Sequence, residues 1–245
     1  ESARTHPATG RYSIIVGEPT QSLTSKGNDV WLTSGGKTTC LQGNPLEVLQ
    51  AHLKAGESVR IKGFPPFVGG AVGFFSFDLY RLLEGLPGRA QDDLGLPDSQ
   101  WIFCDQAIVL DHLLQKLWVV VLAQPQENPD AAYAQAVARI DQLTERLRRI
   151  PENSSVLVET SGQEAPVQST HTRSSFEAMV RQAKTFIAQG EIYQANLSQR
   201  FSMPLSSDPW MLYRRLTSVN PSPFAAFADF PALAPRGDSL QVISA

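Results

Sequence analysis

The stretch "WIFCDQAIVLD", residues 101–111, is followed by the turn "HLLQ" and then by "KLWVVVLA", residues 116–123. Two runs rich in Val, Ile, Leu and aromatic residues, split by four turn-compatible positions, read as two antiparallel strands joined as a hairpin. The first run carries apolar residues on both faces, so it is expected inside a sheet rather than at its edge. A hairpin at this point directs the chain towards antiparallel pairing and away from crossover units.

Working outward, residues 11–16 (RYSIIV) and 29–33 (DVWLT) read as further short strands, separated by the turn-rich "GEPTQSLTSKGN". Residues 45–54 (PLEVLQAHLK) read as a helix, with Pro45 in its first turn and Gly56 just past its end. From 130 to 150, Tyr133, Val137, Ile140, Leu147 and Ile150 recur at helical spacing and are expected to face the core, with Arg139, Glu145, Arg146, Arg148 and Arg149 on the surface. "PENSSVLVETSGQEAPVQSTHT" then reads as a linker.

Beyond it, Ser174 and Glu177 stand three apart as in a capping box, and Phe176, Met179, Val180, Ala183, Phe186 and Ile187 form an apolar stripe that Gly190 ends. Residues 191–201 (EIYQANLSQRF) read as a strand. Its polar face, Gln194, Asn196, Ser198 and Arg200, is either solvated or part of a buried network or pocket. Asp208 and Pro209 open another helix that ends at "NPSPF", and "AAFADF" and "LQVISA" form a last hairpin. Hairpins outnumber crossovers, so the fold class expected is α+β: antiparallel sheets with flanking helices.

Composition narrows function. With 42% hydrophobic and 18% charged residues the 245-residue chain can build a core. A net charge of −3 without a basic run argues against a nucleic-acid partner, and no apolar run approaches the roughly 20 residues of a membrane helix. Cys40 and Cys104 stand apart, and the four histidines show no metal-ligand spacing. With no secretion signal in view, a cytoplasmic protein is expected. The Gly-rich "PPFVGGAVGFFSFD", 65–78, lacks the Gly-Lys-Ser/Thr ending of a phosphate loop and suits a strand passing close to another backbone. No nucleophile elbow or carboxylate pair marks a catalytic centre. "NPSPF", 220–224, holds Phe224 on a stiff backbone, which suits a flat ligand or simply stops a helix.

Several stretches, taken in order, resemble one family. They are "GGAVGFFSFDLYRLLE" (69–84), "AIVLDH" (107–112), "GEIYQANLSQRF" (190–201), "LYRRLTSVNPSPFAAF" (212–227) and "QVISA" (241–245), with "ESA" and "GRYSII" near the start. Together they are similar to the chorismate-utilising enzymes, in particular component I of aminodeoxychorismate synthase and of anthranilate synthase. The resemblance implies an N-terminal region over 1–150, a linker over 151–171 and the beginning of a chorismate-binding domain over 172–245, the chain being about the first half of such an enzyme.

It also implies amination of chorismate, with ammonia from a glutamine amidotransferase subunit and with Mg2+, whose ligands, like the catalytic residues, are expected downstream of Ala245. The polar face of 191–201 would then belong to a network beneath the active site. "SPFAAF" resembles aminodeoxychorismate synthase, which leads to p-aminobenzoate and folate; anthranilate synthase, which leads to tryptophan, is the alternative. A pocket for L-tryptophan is implied at Ser2, Thr9, Gly10, Arg11, Tyr12, Pro223, Phe224 and Ala225, so a non-catalytic tryptophan-binding module is an alternative of another class.

Overall fold

The computed structural model describes residues 10–56, 61–88, 90–123, 127–151, 166–230 and 239–244. In chain order its elements are β1 (Tyr12–Ile15), β2 (Gln21–Lys26), β3 (Asp29–Ser34), β4 (Lys37–Gln42), α1 (Pro45–Ala55), β5 (Gly70–Phe75) and α2 (Tyr80–Glu84). Then follow β6 (Ser99–Cys104), β7 (Gln106–Asp111), β8 (Lys116–Val121) and α3 (Pro129–Arg148). The last are β9 (Gln168–Ser169), α4 (Arg173–Gln189), β10 (Phe201–Ser202), α5 (Pro209–Val219), β11 (Ala226–Phe230) and β12 (Leu240–Ser244). Every strand pairing among the described residues is antiparallel, so the fold is α+β as its hairpins imply.

Contacts divide the chain into two compact units, Glu1–Ser154 with Tyr213–Ala245, and Ser155–Leu212. The first holds a five-stranded sheet in the order β4-β3-β2-β6-β5 and a three-stranded sheet in the order β1-β7-β8. The strand expected over 101–111 is therefore two strands. The chain leaves one sheet at Cys104, turns at the buried Asp105 and enters the other at Gln106. Both halves are central, β6 between β2 and β5, and β7 between β1 and β8, as the apolar content on both faces predicts.

The centre of the larger sheet is β2, in a stretch whose sequence reads as turn-rich. Its pattern QSLTSK hides a strand because its buried polar residue Ser25 finds a partner inside the sheet. Ser25 and Ser99, both almost fully buried, bond hydroxyl to hydroxyl at 2.8 Å. β4 also escapes the sequence pattern; its side chains are exposed along the whole strand, so no alternation marks it. Under one face of this sheet α1 seats Leu49 against the fully buried Leu23 and Val30. Burying side chains of that size contributes about 1.5–3 kcal/mol each. Asn44 caps α1 by accepting the Leu46 N–H at 2.9 Å, with Pro45 in the first turn. On the opposite face Phe230 of β11 meets Phe74 of β5 edge-on, with ring centres 5.5 Å apart, which docks the β11–β12 hairpin there.

α3 keeps Ile140 and Leu147 of the expected stripe half-buried but is rotated from that expectation elsewhere. Ala132 and Ala136 are buried, whereas Tyr133 is 71% exposed and Val137 and Ile150 also face out. Two alanines let the helix backbone approach the sheet, and that close approach decides the rotation over the larger side chains one position on. Arg139, expected on the surface, lies half-buried on the inward side and grips Asp105 through Nη1 and Nη2 at 2.8 and 2.7 Å.

In the second unit α4 is capped by Thr172, whose hydroxyl accepts from Ser175 N at 3.2 Å, and not by Ser174. Glu177 instead pairs with Arg173 at 2.8 Å. Gly190 ends the helix in the left-handed region, φ 76°, as its residue type requires. Residues 191–200 are not a strand. They carry no regular ladder and their side chains are exposed; only Phe201 and Ser202 pair, with Ser169 and Gln168. Alternating side chains describe one strand, whereas a strand exists only if a neighbour satisfies its N–H and C=O groups. Among the described residues β9 offers just two.

The glycines of 65–78 act as read. A Cβ on Gly73 would lie 2.0 Å from the Gln100 carbonyl oxygen and 2.8 Å from the Trp101 Cα. Gly73→Ala must push β5 off β6 and is expected to lower stability by about 2–3 kcal/mol, measured as a fall in the urea midpoint at unchanged slope.

Candidate functional site

The start of β1 supplies three of the candidate effector residues. Gly10 is buried in the bend before the strand, and Arg11 and Tyr12 are half-buried. β1 pairs with β7 in a register that sets Tyr12 opposite Asp111. Next to that pair the Arg11 guanidinium holds the Asp111 carboxylate, with Nε at 3.0 and 3.1 Å and Nη2 at 2.7 Å. The Arg11 backbone carbonyl accepts the His112 N–H at 2.8 Å, and the guanidinium carbon lies 4.9 Å from the centre of the Tyr12 ring. Asp111 also accepts the N–H groups of Leu113 and Leu114, so one carboxylate closes the β7–β8 turn and neutralises Arg11.

These bonds, the one from Arg11 foremost, hold the Asp111 carboxyl down at about 2, below its usual 3.8. The same pairing raises Arg11. Any anion that Arg11 receives meets a cation already matched on its Nε side, with Nη1 left to donate among the described residues.

The second group precedes β11. Pro223 is exposed, the Phe224 ring is 72% exposed and Ala225 is buried. The Ser222 hydroxyl accepts the Phe224 N–H at 3.2 Å and donates to the Phe224 carbonyl at 3.3 Å, a local turn that presents the ring outward. Among the described residues no hydrogen bond, ion pair or ring contact joins Phe224 to Arg11 or Tyr12. Ser2 and Thr9 lie outside the described residues.

The polar face of 191–201 forms no buried network with the described residues: Gln194, Asn196, Ser198 and Arg200 are all exposed, and Tyr193 is 93% exposed. Asp111 and its neighbours raise the question of nucleophilic chemistry, since the Ser13 hydroxyl stands 2.8 Å from His112 Nε2. Among the described residues nothing orients the other imidazole nitrogen, so the arrangement stops short of a nucleophile–base–orienter set. Nor do three His, Cys, Asp or Glu side chains gather to hold a metal ion among the described residues, and no step through magnesium follows from them. No described helix is long and apolar enough to cross a membrane.

Sequence reasoning missed a polar chain that runs along α3. Arg139 binds Asp105 and donates to the Gln106 side-chain carbonyl at 3.1 Å; Gln106 donates to Glu18 at 2.9 Å; Glu18 accepts from Arg146 at 2.6 Å. The available signal was Asp105-Gln106, two polar residues inside an apolar run.

Comparison with known proteins agrees with this architecture. The chorismate binding enzyme family matches residues 3–242, and the chain belongs to it. It is 32% identical over 238 residues to anthranilate synthase component 1 of Acetivibrio thermocellus, covering 95% of this chain and 48% of that protein. It is 33% identical over 235 residues to aminodeoxychorismate synthase component 1 of Bacillus subtilis (strain 168), covering 94% and 47%. The crystal structure of anthranilate synthase component I from Streptococcus pneumoniae TIGR4 superposes with a TM-score of 0.75 at 27% identity, over 94% of this chain and 49% of that one. The chain thus spans about half the length of the relatives it matches.

The acid limb of stability tests the Arg11–Asp111 pair. A carboxyl held below its unfolded value stabilises the fold above that value, and this contribution drains away as pH falls from 3.8 through about 2. Asp111→Asn is expected to be the less stable protein at neutral pH and to converge on the parent over that interval. Urea midpoints at a series of pH values check this; a difference independent of pH would mean the ion pair is not its source.

Proposed function

We propose that the chain is the first part of an aminodeoxychorismate synthase component I. In this reading ammonia, delivered by a glutamine amidotransferase subunit, displaces the ring hydroxyl of chorismate to give 4-amino-4-deoxychorismate in the cytoplasm, on the route to p-aminobenzoate and folate. The observation that carries it is the turn at Ser222–Phe224, where "SPFAAF" resembles that enzyme and where anthranilate synthases more often have Tyr-Met-Phe-Tyr.

The same reading divides the chain into an N-terminal region over 1–150, a linker over 151–171 and the start of a chorismate-binding domain over 172–245. Magnesium enters through the family alone, since the described side chains assemble no site for it. Membership of the family and similarity to both kinds of component I support amination of chorismate equally at either ring position. Anthranilate synthesis is therefore the second reading.

Tryptophan is proposed as an effector held by Ser2, Thr9, Gly10, Arg11, Tyr12, Pro223, Phe224 and Ala225. The outward ring of Phe224 and the Nη1 edge of Arg11 support this, being suited to an indole and a carboxylate.

The full-length protein, incubated with chorismate, Mg2+ and ammonium, is expected to yield a product that a lyase converts to p-aminobenzoate. Fluorescent anthranilate in its place would transfer the protein to tryptophan synthesis. Tryptophan is expected to raise the melting temperature of the parent and not of Phe224→Ala; an equal rise in both would remove Phe224 from the pocket.

A further inference from the structure

A half-open groove of about 400 Å³ runs between the three-stranded sheet and the C-terminal half of α3. Ile15 of the edge strand β1, Ile108 of β7, and Leu143, Leu147 and Ile150 line its apolar part. Ile15 is 63% exposed and Ile150 58%, so two branched aliphatic side chains of one groove face water. A volume of this size falls in the range of small-ligand sites, about 300–1,000 Å³. It lies at the Ile15 end of β1, so it is built from different residues than the Arg11 and Phe224 groups.

The chemistry of the occupant follows from which polar groups retain capacity. Glu18, Gln106 and Arg146 form the polar part of the groove. Both Glu18 oxygens are engaged, Oε1 by Arg146 at 2.6 Å and Oε2 by Gln106 at 2.9 Å. The Gln106 amide is engaged at both ends, since its oxygen accepts from Arg139 at 3.1 Å. Arg146 contributes only Nη1; among the described residues its Nε and Nη2 donors have no partner. Each Glu18 oxygen already accepts a bond from within the protein, whereas Arg146 offers an anionic head group the unspent Nε and Nη2 edge of its guanidinium.

We propose that this groove binds a small amphipathic carboxylic acid, its hydrocarbon body on Ile15, Ile108, Leu143 and Leu147 and its carboxylate on Arg146. The site stands apart from the chorismate reading and does not depend on it.

The test is a calorimetric titration of the full-length protein with 3-phenylpropionate, and with 3-phenylpropan-1-ol as its uncharged analogue. The acid is expected to bind saturably and more tightly than the alcohol. Arg146→Gln, at an exposed side chain, is expected to weaken the acid by roughly tenfold and to leave the alcohol unchanged. Glu18→Gln frees Arg146 from its competitor and is expected to strengthen acid binding, an outcome that damage to the fold would not produce.

No saturable binding, equal binding of acid and alcohol, or an Arg146→Gln variant that binds as the parent does would each overturn the proposal. So would binding lost in Phe224→Ala but kept in Arg146→Gln, which would seat the acid in the effector pocket. A dimer in solution that Ile15→Glu dissociates would assign the face to a second copy and overturn it as well.

Discussion

The structure turns on the ion pair between Asp105 and Arg139. One apolar run of sequence has to serve two sheets, and the exchange takes place at a single buried carboxylate. A charge in that position is tolerable only if it is matched, and Arg139 matches it with two nearly parallel bonds at 2.8 and 2.7 Å. The backbone reinforces the junction, because the Asp105 carbonyl accepts the Leu122 N–H at 2.7 Å and so ties the end of β8 to the same point. Space is short there. Gly69 takes a φ of 149°, and a Cβ on it would meet Leu122 at 2.4 Å and the Cys104 carbonyl at 3.0 Å. The larger sheet, the smaller sheet and α3 therefore meet at one residue, its guanidinium partner and a glycine.

That junction also explains what is legible in the sequence and what is not. Hairpins, helix starts at Pro45 and Pro209, the stop at Gly190 and the close approach at Gly73 are legible, because each depends on local stereochemistry or on the chain's nearest neighbours. The exchange at Asp105 is not, because an Asp inside an apolar run looks like a tolerated polar residue until its partner, 34 positions away, is known. The same holds for β2. Its serines and threonine resemble a turn, and the partner of the buried Ser25 hydroxyl, Ser99, stands 74 positions away. The rotation of α3 is hidden for a related reason. Periodicity locates an apolar arc, but Tyr133 and Val137 lose to the smaller Ala132 and Ala136 once the helix comes close to the sheet.

The candidate sites are legible to different degrees. Family resemblance names Arg11 and Phe224, but it does not give their states. Arg11 is half committed to Asp111, and Phe224 turns outward on a two-bond serine turn. Nothing in the pattern "GRYS" announces Asp111 as the partner, since the register of β1 on β7 determines it. The groove beside α3 is invisible from sequence. It exists because Glu18, Gln106 and Arg146, spread over 128 positions, meet where an edge strand runs beside a helix.

Pattern and burial part company most clearly in the second unit. α4 carries an apolar stripe, yet Val180 and Ile187 remain exposed and Phe176, Met179, Ala183 and Phe186 are only half-buried. Residues 191–200 alternate as a strand should and have no ladder. Both segments are patterned for burial that the described residues do not supply, and the chain spans about half the length of the relatives it matches. Amphipathicity states which face gains by leaving water, and it is silent on which surface will cover it. The stripe of α4 and the alternation of 191–201 are therefore evidence about a contact rather than about the local backbone, which is why the helix forms without its cover and the strand does not. A helix satisfies its own N–H and C=O groups along its length; a strand depends for them on a neighbour.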